Sequence, residues 1–373
     1  MFVQKANIFS PLSDYLSKVP DFRNQSTRNF RHPLLDILLL SVCGIFCGAE
    51  DIEEIALFGK EKEDFLRKFI DFPNGIPSHD TIRRVFMHLD AESFNREFMA
   101  WVQACISDSE LEFEQISIDG KVLKGSKSGI HLVSAVASEL GLSLGQVKTS
   151  EKSNEITAIP KLLDLLVVKG CIVSIDAMGT QHEITDKIID KGGDYFLALK
   201  GNQKSLHKQV QEQFERKPEL CQVHKVSDWT ASHNQAVGYE VQVCEDFTWV
   251  ENKADWNELN SLVKVITTSE KRGREERFYI SSIKALSAEK AHTLARGHWA
   301  VENKLHWQLD VTMKEDKQRH RSENVPENIS LVRKMVLNIA KMKEPKLSRK
   351  KVIKKMAWNQ EYFIEVMRSV FNL

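Results

Sequence analysis

The sequence predicts an α/β protein centred on a mixed five-stranded sheet with helices on its faces. Three observations lead there. Residues 115–200 alternate short β-branched runs with amphipathic stretches in the order β-β-β-α-β-α-β. A meander followed by helical crossovers gives a mixed sheet flanked by helices. Residues 1–107 instead carry apolar residues at helical three-and-four spacing. Two of the strands also stop alike, on Ser-Ile-Asp, in "QISIDGKVLKG" (115–125) and "GCIVSIDAMGT" (170–180).

The N-terminal helical domain (1–107) is read from "HPLLDILLLSVCGIFCGA", "DIEEIALFGKEKEDFLRKFI" and "DAESFNREFMAWVQACI". "SHDTIRRVFMHL" opens on a capping serine and displays Arg83 and Arg84, as a DNA-contacting helix or any exposed basic helix would. The first part of the core (108–202) begins with "QISID". Strands "HLVSAVAS" (131–138) and "LSLGQVKT" (142–149) follow, joined by the turn "ELG". The helix "NEITAIPKLLDLLVV" (154–168) ends at Gly170. Then come the strand "CIVSID", the helix "QHEITDKIIDK" and the strand "DYFLALK" (194–200). A mainly β insertion (203–284) starts with a helix and continues through strands at 239–250, 261–268 and 276–283. Helix returns across 285–340, and a basic C-terminal tail (341–373) closes the chain.

With 42% hydrophobic and 28% charged residues, the chain is an ordinary globular one. Lys plus Arg equals Asp plus Glu at 52 each, so the net charge says nothing about a polyanionic partner. The distribution says more: residues 341–355 hold eight Lys or Arg against one acid, a block of +7 that suits either nucleic acid or a solvated helix face. The six cysteines have no CxxC or zinc-finger spacing. Unpaired thiols and the lack of a signal peptide imply a reducing cytoplasm. The most apolar run, 33–49, contains Asp36 and is short for a membrane span, so no membrane is expected.

An Asp after a strand is ordinarily a turn residue. The topology changes that, because the first and fourth strands can lie adjacent and bring Asp119 and Asp176 to one edge. Two close carboxylates repel unless a cation or proton sits between them. A third acid is sought in "RGHWAVENKLHWQLD", where His298, Glu302, His306 and Asp310 recur every four residues along a helix. That ribbon suits satisfied histidines, a zinc site without the HExxH pattern, or Glu302 facing the two aspartates.

At this point the chain resembles the H-repeat-associated insertion-sequence transposases, a branch of the DDE superfamily with an RNase H-like core. The resemblance runs through "HPLLDILLLSVCGIFCGAEDIEEI", "GIPSHDTIRRVF", "SIDGKVLKGS", "KSNEITAIPKLL", "IVSIDAMGTQ", "GGDYFLALKGNQ", "HWAVENKLHWQLDVTMKED" and "NISLVRKMVLNI". It implies Asp119, Asp176 and Glu302 as a catalytic, metal-binding triad. Glu315, Asp316 and Asp310 stand in reserve for the third acid. The Tyr, Arg and Lys that often surround that acid in the superfamily are replaced here by Ala295, His298 and Leu309. The implied cofactor is Mg²⁺ or Mn²⁺, two ions roughly 3.5–4 Å apart serving in-line displacement. Hard cations of this kind favour carboxylate oxygen. The implied reaction is cleavage and strand transfer at the ends of an insertion element, with DNA ends and target as partners and a homodimer on DNA at the nucleoid. Alternatives are a non-catalytic DNA-binding relic and a nuclease that cuts without joining. Expected DNA contacts are Lys121, Lys124, Lys152, Asn154, Lys200, Asn202, Gln203, Arg296 and Lys304.

Overall fold

The computed structural model describes residues 10–28, 30–123, 129–149, 155–230, 235–270, 273–319 and 322–371. Its strands are β1 (Gln115–Leu123), β2 (Ile130–Ala137), β3 (Leu142–Lys148), β4 (Ile172–Ile175), β5 (Asp194–Leu199), β6 (Gln222–Thr230), β7 (Gln235–Cys244), β8 (Ser261–Ser269) and β9 (Gly273–Ser281). They form one sheet in the order β3-β2-β1-β4-β5-β9-β8-β7-β6. The first five are the expected mixed sheet: β1 pairs antiparallel with β2 and parallel with β4, and β4 pairs parallel with β5.

The sheet itself has nine strands rather than five. β9 pairs antiparallel with β5, so the insertion prolongs the core sheet instead of standing apart from it. β5 would otherwise be an open edge with unpaired backbone groups, and β9 covers it. The insertion also contains β6, a strand absent from the sequence reading.

Alternation along each strand separates two apolar layers. Ile116, Ile118, Val173, Ile175, Leu197 and Ile280 face one core, while Ile172, Phe196, Tyr279, Val241 and Val263 face the other. The N-terminal helices are α1 (Leu12–Leu16), α2 (Leu34–Phe46), α3 (Ile52–Glu61), α4 (Glu63–Leu66), α5 (His79–His88) and α6 (Ala91–Asp108). Asp51, Ser78 and Asp90 cap α3, α5 and α6 by accepting from the backbone N–H three residues on, each worth about 1 kcal/mol. Next come α7 (Glu155–Leu165), α8 (His182–Asp190), α9 (Lys204–Arg216) and α10 (Ala288–His298). Helix α7 packs Ala158, Ile159, Leu162 and Leu163 on the first face, and α10 packs Ala291, Leu294 and Ala295 on the second.

The long helix read beyond residue 285 does not stay α-helical. After α10 the chain makes two π-helical segments, Val301–His306 and Gln308–Thr312. Such turns are rare and recur at functional sites.

The basic C-terminal tail is likewise corrected. Helix α11 (Val325–Lys343) is almost wholly buried, and α12 (Arg349–Trp358) and α13 (Gln360–Phe371) follow it. Val352, Met356, Phe363, Val366, Met367, Val370 and Phe371 all join the main core, and the Phe363 ring lies 5.1 Å from that of Phe65. Each such side chain stabilises by about 1.5–3 kcal/mol, which makes this segment part of the fold. Its lysines hid an apolar face at helical spacing.

Candidate active site

The repeated Ser-Ile-Asp has a single structural explanation. Ser117 lies opposite Ser174 and Ile118 opposite Ile175, and there the β1–β4 pairing stops. The isoleucines enter the core below, while serines and aspartates share the other face. The serines seat the C-terminal helix. The Ser117 hydroxyl lies 3.1 Å from that of Ser174 and donates to the Gly297 carbonyl at 3.2 Å. Gln115 Nε2 donates to Ser174 Oγ at 2.8 Å and to the Leu294 carbonyl at 3.0 Å. A Cβ on Gly297 would stand 2.0 Å from Gln115 Oε1, so glycine permits this close seat.

Asp119 and Asp176 therefore sit where the two strands part, but not as matching tips. Asp176 ends β4 and accepts from the N–H groups of Met178 and Gly179 at 3.1 and 3.4 Å, so it serves the turn as well. Asp119 lies inside β1, which runs on to Leu123 because Gly120 keeps pairing with Val133 of β2. The expected turn at Asp-Gly is absent.

Carboxylate oxygens of Asp119, Glu155 and Asp176 lie within 4.8 Å of one another. Glu155, from the first turn of α7, went unnoticed in the sequence, where an acid at a helix start passes as a dipole partner. Glu302 lies outside that trio, exposed on the first π-helical segment. Its charge still reaches Asp119. Burial first, then repulsion from Asp176, Glu155 and Glu302, pushes the Asp119 carboxyl up to about 7.

The four-residue ribbon does face the sheet. His298 Nδ1 lies 3.2 Å from Ser174 Oγ, His306 Nδ1 lies 3.6 Å from Asp119 Oδ2, and Asp310 pairs with Lys121. Burial pushes His298 down to about 4 and His306 to about 3, so both are neutral near pH 7 and neither offsets the acids.

Several expected DNA contacts are placed otherwise. Lys121 points inward, 10% exposed, onto Asp310, Glu315 at 2.6 Å and Asp316 at 3.9 Å. Its charge is needed there because Glu315 is buried. Desolvation would raise the Glu315 carboxyl, but Lys121, Arg333 and Lys334 hold it below the ordinary value. Glu315 and Asp316 thus face Lys121 and, like Asp310, lie outside the Asp119, Glu155 and Asp176 group. Lys304 donates to the Ser138 carbonyl at 2.6 Å. Asn202 Nδ2 donates to the Ala177 carbonyl at 2.5 Å and Gln203 Nε2 to the Thr180 carbonyl at 3.0 Å, bracing the turn behind Asp176. Lys200 is exposed at the end of β5. Arg296 is exposed too, its guanidinium 5.1 Å from the Tyr239 ring centre. Arg83 pairs with Asp80 at 2.8 Å. Lys124, Lys152 and Asn154 lie outside the described residues.

An all-carboxylate donor set suits a hard divalent cation, whose charge would relieve the repulsion recorded at Asp119. No described helix is long and apolar enough to cross a membrane.

The fold is a mixed sheet whose central parallel pair brings two aspartates together, and sequence comparison assigns it to a family. Residues 112–339 match the Transposase DDE domain family, and residues 13–102 match the DDE_Tnp_1-associated family. The chain is 41% identical to "Putative transposase YncI" of Escherichia coli O157:H7 (97% of this chain, 95% of the relative). It is 38% identical to "H repeat-associated putative transposase YhhI" of Escherichia coli strain K12 (95% and 97%). The chain belongs to the DDE transposase family, in its H-repeat-associated branch. A shorter K12 relative, "Inactive transposase YbfQ", is 47% identical over 20% of this chain and 86% of its own. A piggyBac transposase synaptic complex with hairpin DNA aligns over 95% of this chain and 77% of that one. Its 10% identity and TM-score of 0.43 are too low to carry weight.

Proposed function

We propose that this chain is an active DNA transposase that cleaves the ends of an insertion element and joins them to target DNA by in-line phosphoryl transfer. The observation that carries this is the meeting of Asp119 and Asp176 carboxylates at the β1–β4 parting, within a chain of the DDE family. Asp119, Asp176 and Glu302 are the residues assigned to hold Mg²⁺ or Mn²⁺. When bound, a pair of such ions supplies charge relief to both the attacking and the leaving oxygen.

The chain's own residues do the rest. Asp119 meets Asp176 at the sheet, and the charge of Glu302 on the first π-helical segment reaches it. Asp176 is fixed by its two backbone N–H donors. Neutral His306 lies 3.6 Å from Asp119 and adds no charge beside it. In the first step a water oxygen attacks phosphorus and the P–O3′ bond breaks, leaving a 3′ hydroxyl on the element. In the second that hydroxyl attacks a target phosphodiester, forming one P–O bond as another breaks. Lys200 and Arg296 are assigned to DNA because they are exposed on the strand and helix that flank the acids.

The test is strand transfer from pre-cut element ends in Mn²⁺. Joined products from the wild type, and none from Glu302→Gln, support the reading. Cutting of intact ends without any joining would instead identify a nuclease, and neither activity would identify a non-catalytic DNA binder.

A further inference from the structure

We propose that Glu155 is a metal ligand of this same centre, a fourth carboxylate brought from the opposite layer of the fold. The inference rests on the metal-dependent reading above. His306 approaches Asp119 on the face where Ser117 meets α10, whereas Glu155 stands on α7, beside Gly120 on the other face. The β1–β4 pairing ends at Ile118 and Ile175, and the Glu155 carboxylate meets Asp119 and Asp176 just beyond that end.

Gly120 is the independent observation. Within a strand, glycine weakens the structure and marks a close approach. A Cβ at residue 120 would lie 1.9 Å from Glu155 Oε1 and 2.3 Å from its Cδ, so the glycine is the gap through which the carboxylate reaches Asp119. The remaining neighbour is His131, whose Nδ1 is 3.5 Å from Glu155 Oε1. A residue serving only to brace His131 would have no use for that gap beside Asp119 and Asp176. With three carboxylates from β1, β4 and α7, one divalent ion has an all-oxygen set without calling on Glu302.

The two roles leave opposite signatures in the metal-free protein. Removing a brace lowers the melting temperature in EDTA, whereas removing a repelling carboxylate leaves it unchanged or raises it. The experiment titrates Mn²⁺ alone, by calorimetry and by melting temperature, into the full chain and four variants. Glu155→Gln should weaken Mn²⁺ binding by at least about tenfold, the scale seen when supporting groups of a metal site are lost. Gly120→Ala should do the same without touching a ligand, since its methyl group displaces Glu155. The double variant should be no worse than either, because both act on one interaction. Unchanged Mn²⁺ affinity in Glu155→Gln, or a fall in its EDTA melting temperature with affinity kept, would overturn the assignment. Asp119→Asn separates the levels. If Asp119→Asn weakens Mn²⁺ binding while Glu155→Gln does not, Glu155 alone is excluded. If Asp119→Asn also binds normally, the whole metal reading fails.

Discussion

Asp119→Asn should make the metal-free protein more stable, and only above acidic pH. The ordinary carboxyl value is 3.8 and that of Asp119 is pushed up to about 7 by burial and by Asp176, Glu155 and Glu302, with neutral His306 offering no counter-charge. The folded chain therefore holds this proton more tightly than the unfolded one. The stability it contributes is full below about pH 3.8 and is lost as pH rises to about 7. Three units at 1.36 kcal/mol each put the penalty at pH 8 at roughly 4 kcal/mol. Asparagine keeps the shape without the charge and escapes that penalty. At roughly 2.1 cal/mol/K per residue for the entropy of unfolding, the gain is about 5 °C in melting temperature for a chain of this size. Melting curves in EDTA at pH 4 and pH 8 measure it. The variant should melt higher at pH 8 and nearly level with wild type at pH 4, and saturating Mn²⁺ should raise only the wild type. Equal melting at pH 8, or a gap independent of pH, would refute the electrostatic account.

Lys121→Met should cost about 3–5 kcal/mol in denaturant unfolding, since it strands buried Glu315; a lysine serving DNA alone would cost almost nothing. Replacing exposed Lys350, Lys351 and Lys354 on α12 by Ala should leave folding intact while flattening the salt dependence of DNA binding. Each lost phosphate contact takes about 0.9 from the log–log slope, so an unchanged slope would make α12 a mere solvated face. Glu302→Gln should retain DNA binding and the EDTA melting temperature, because the residue is exposed, yet lose cleavage.

The central sheet was legible because its signals are local or topological. β-Branched runs, helical spacing and the order of elements suffice to put β1 beside β4, and hence Asp119 beside Asp176. What escaped depends on distant partners. Gly120 reads as a turn until α7 is known to press Glu155 against it. Lys121 reads as a loop cation beside a strand tip, because its partner Glu315 is 194 residues away. The strands after residue 203 read as a separate insertion, since nothing in β9 announces that it will cover the edge of β5. In residues 341–373 the density of lysine outweighed the apolar face of α12 and α13. The ribbon from His298 to Asp310 was visible as a spacing, but not the π-helical turns that carry it.

The most direct measurement is cleavage of the element's own DNA ends in Mg²⁺ or Mn²⁺ by wild type and Asp176→Asn, with DNA binding followed in parallel. Asparagine retains the oxygen that caps Met178 and Gly179, so folding and binding should be preserved. Wild type should cut only with a divalent ion, and Asp176→Asn should bind without cutting. Full cleavage by the variant, or cleavage by wild type in EDTA, would return Asp176 to an ordinary turn residue and contradict the account.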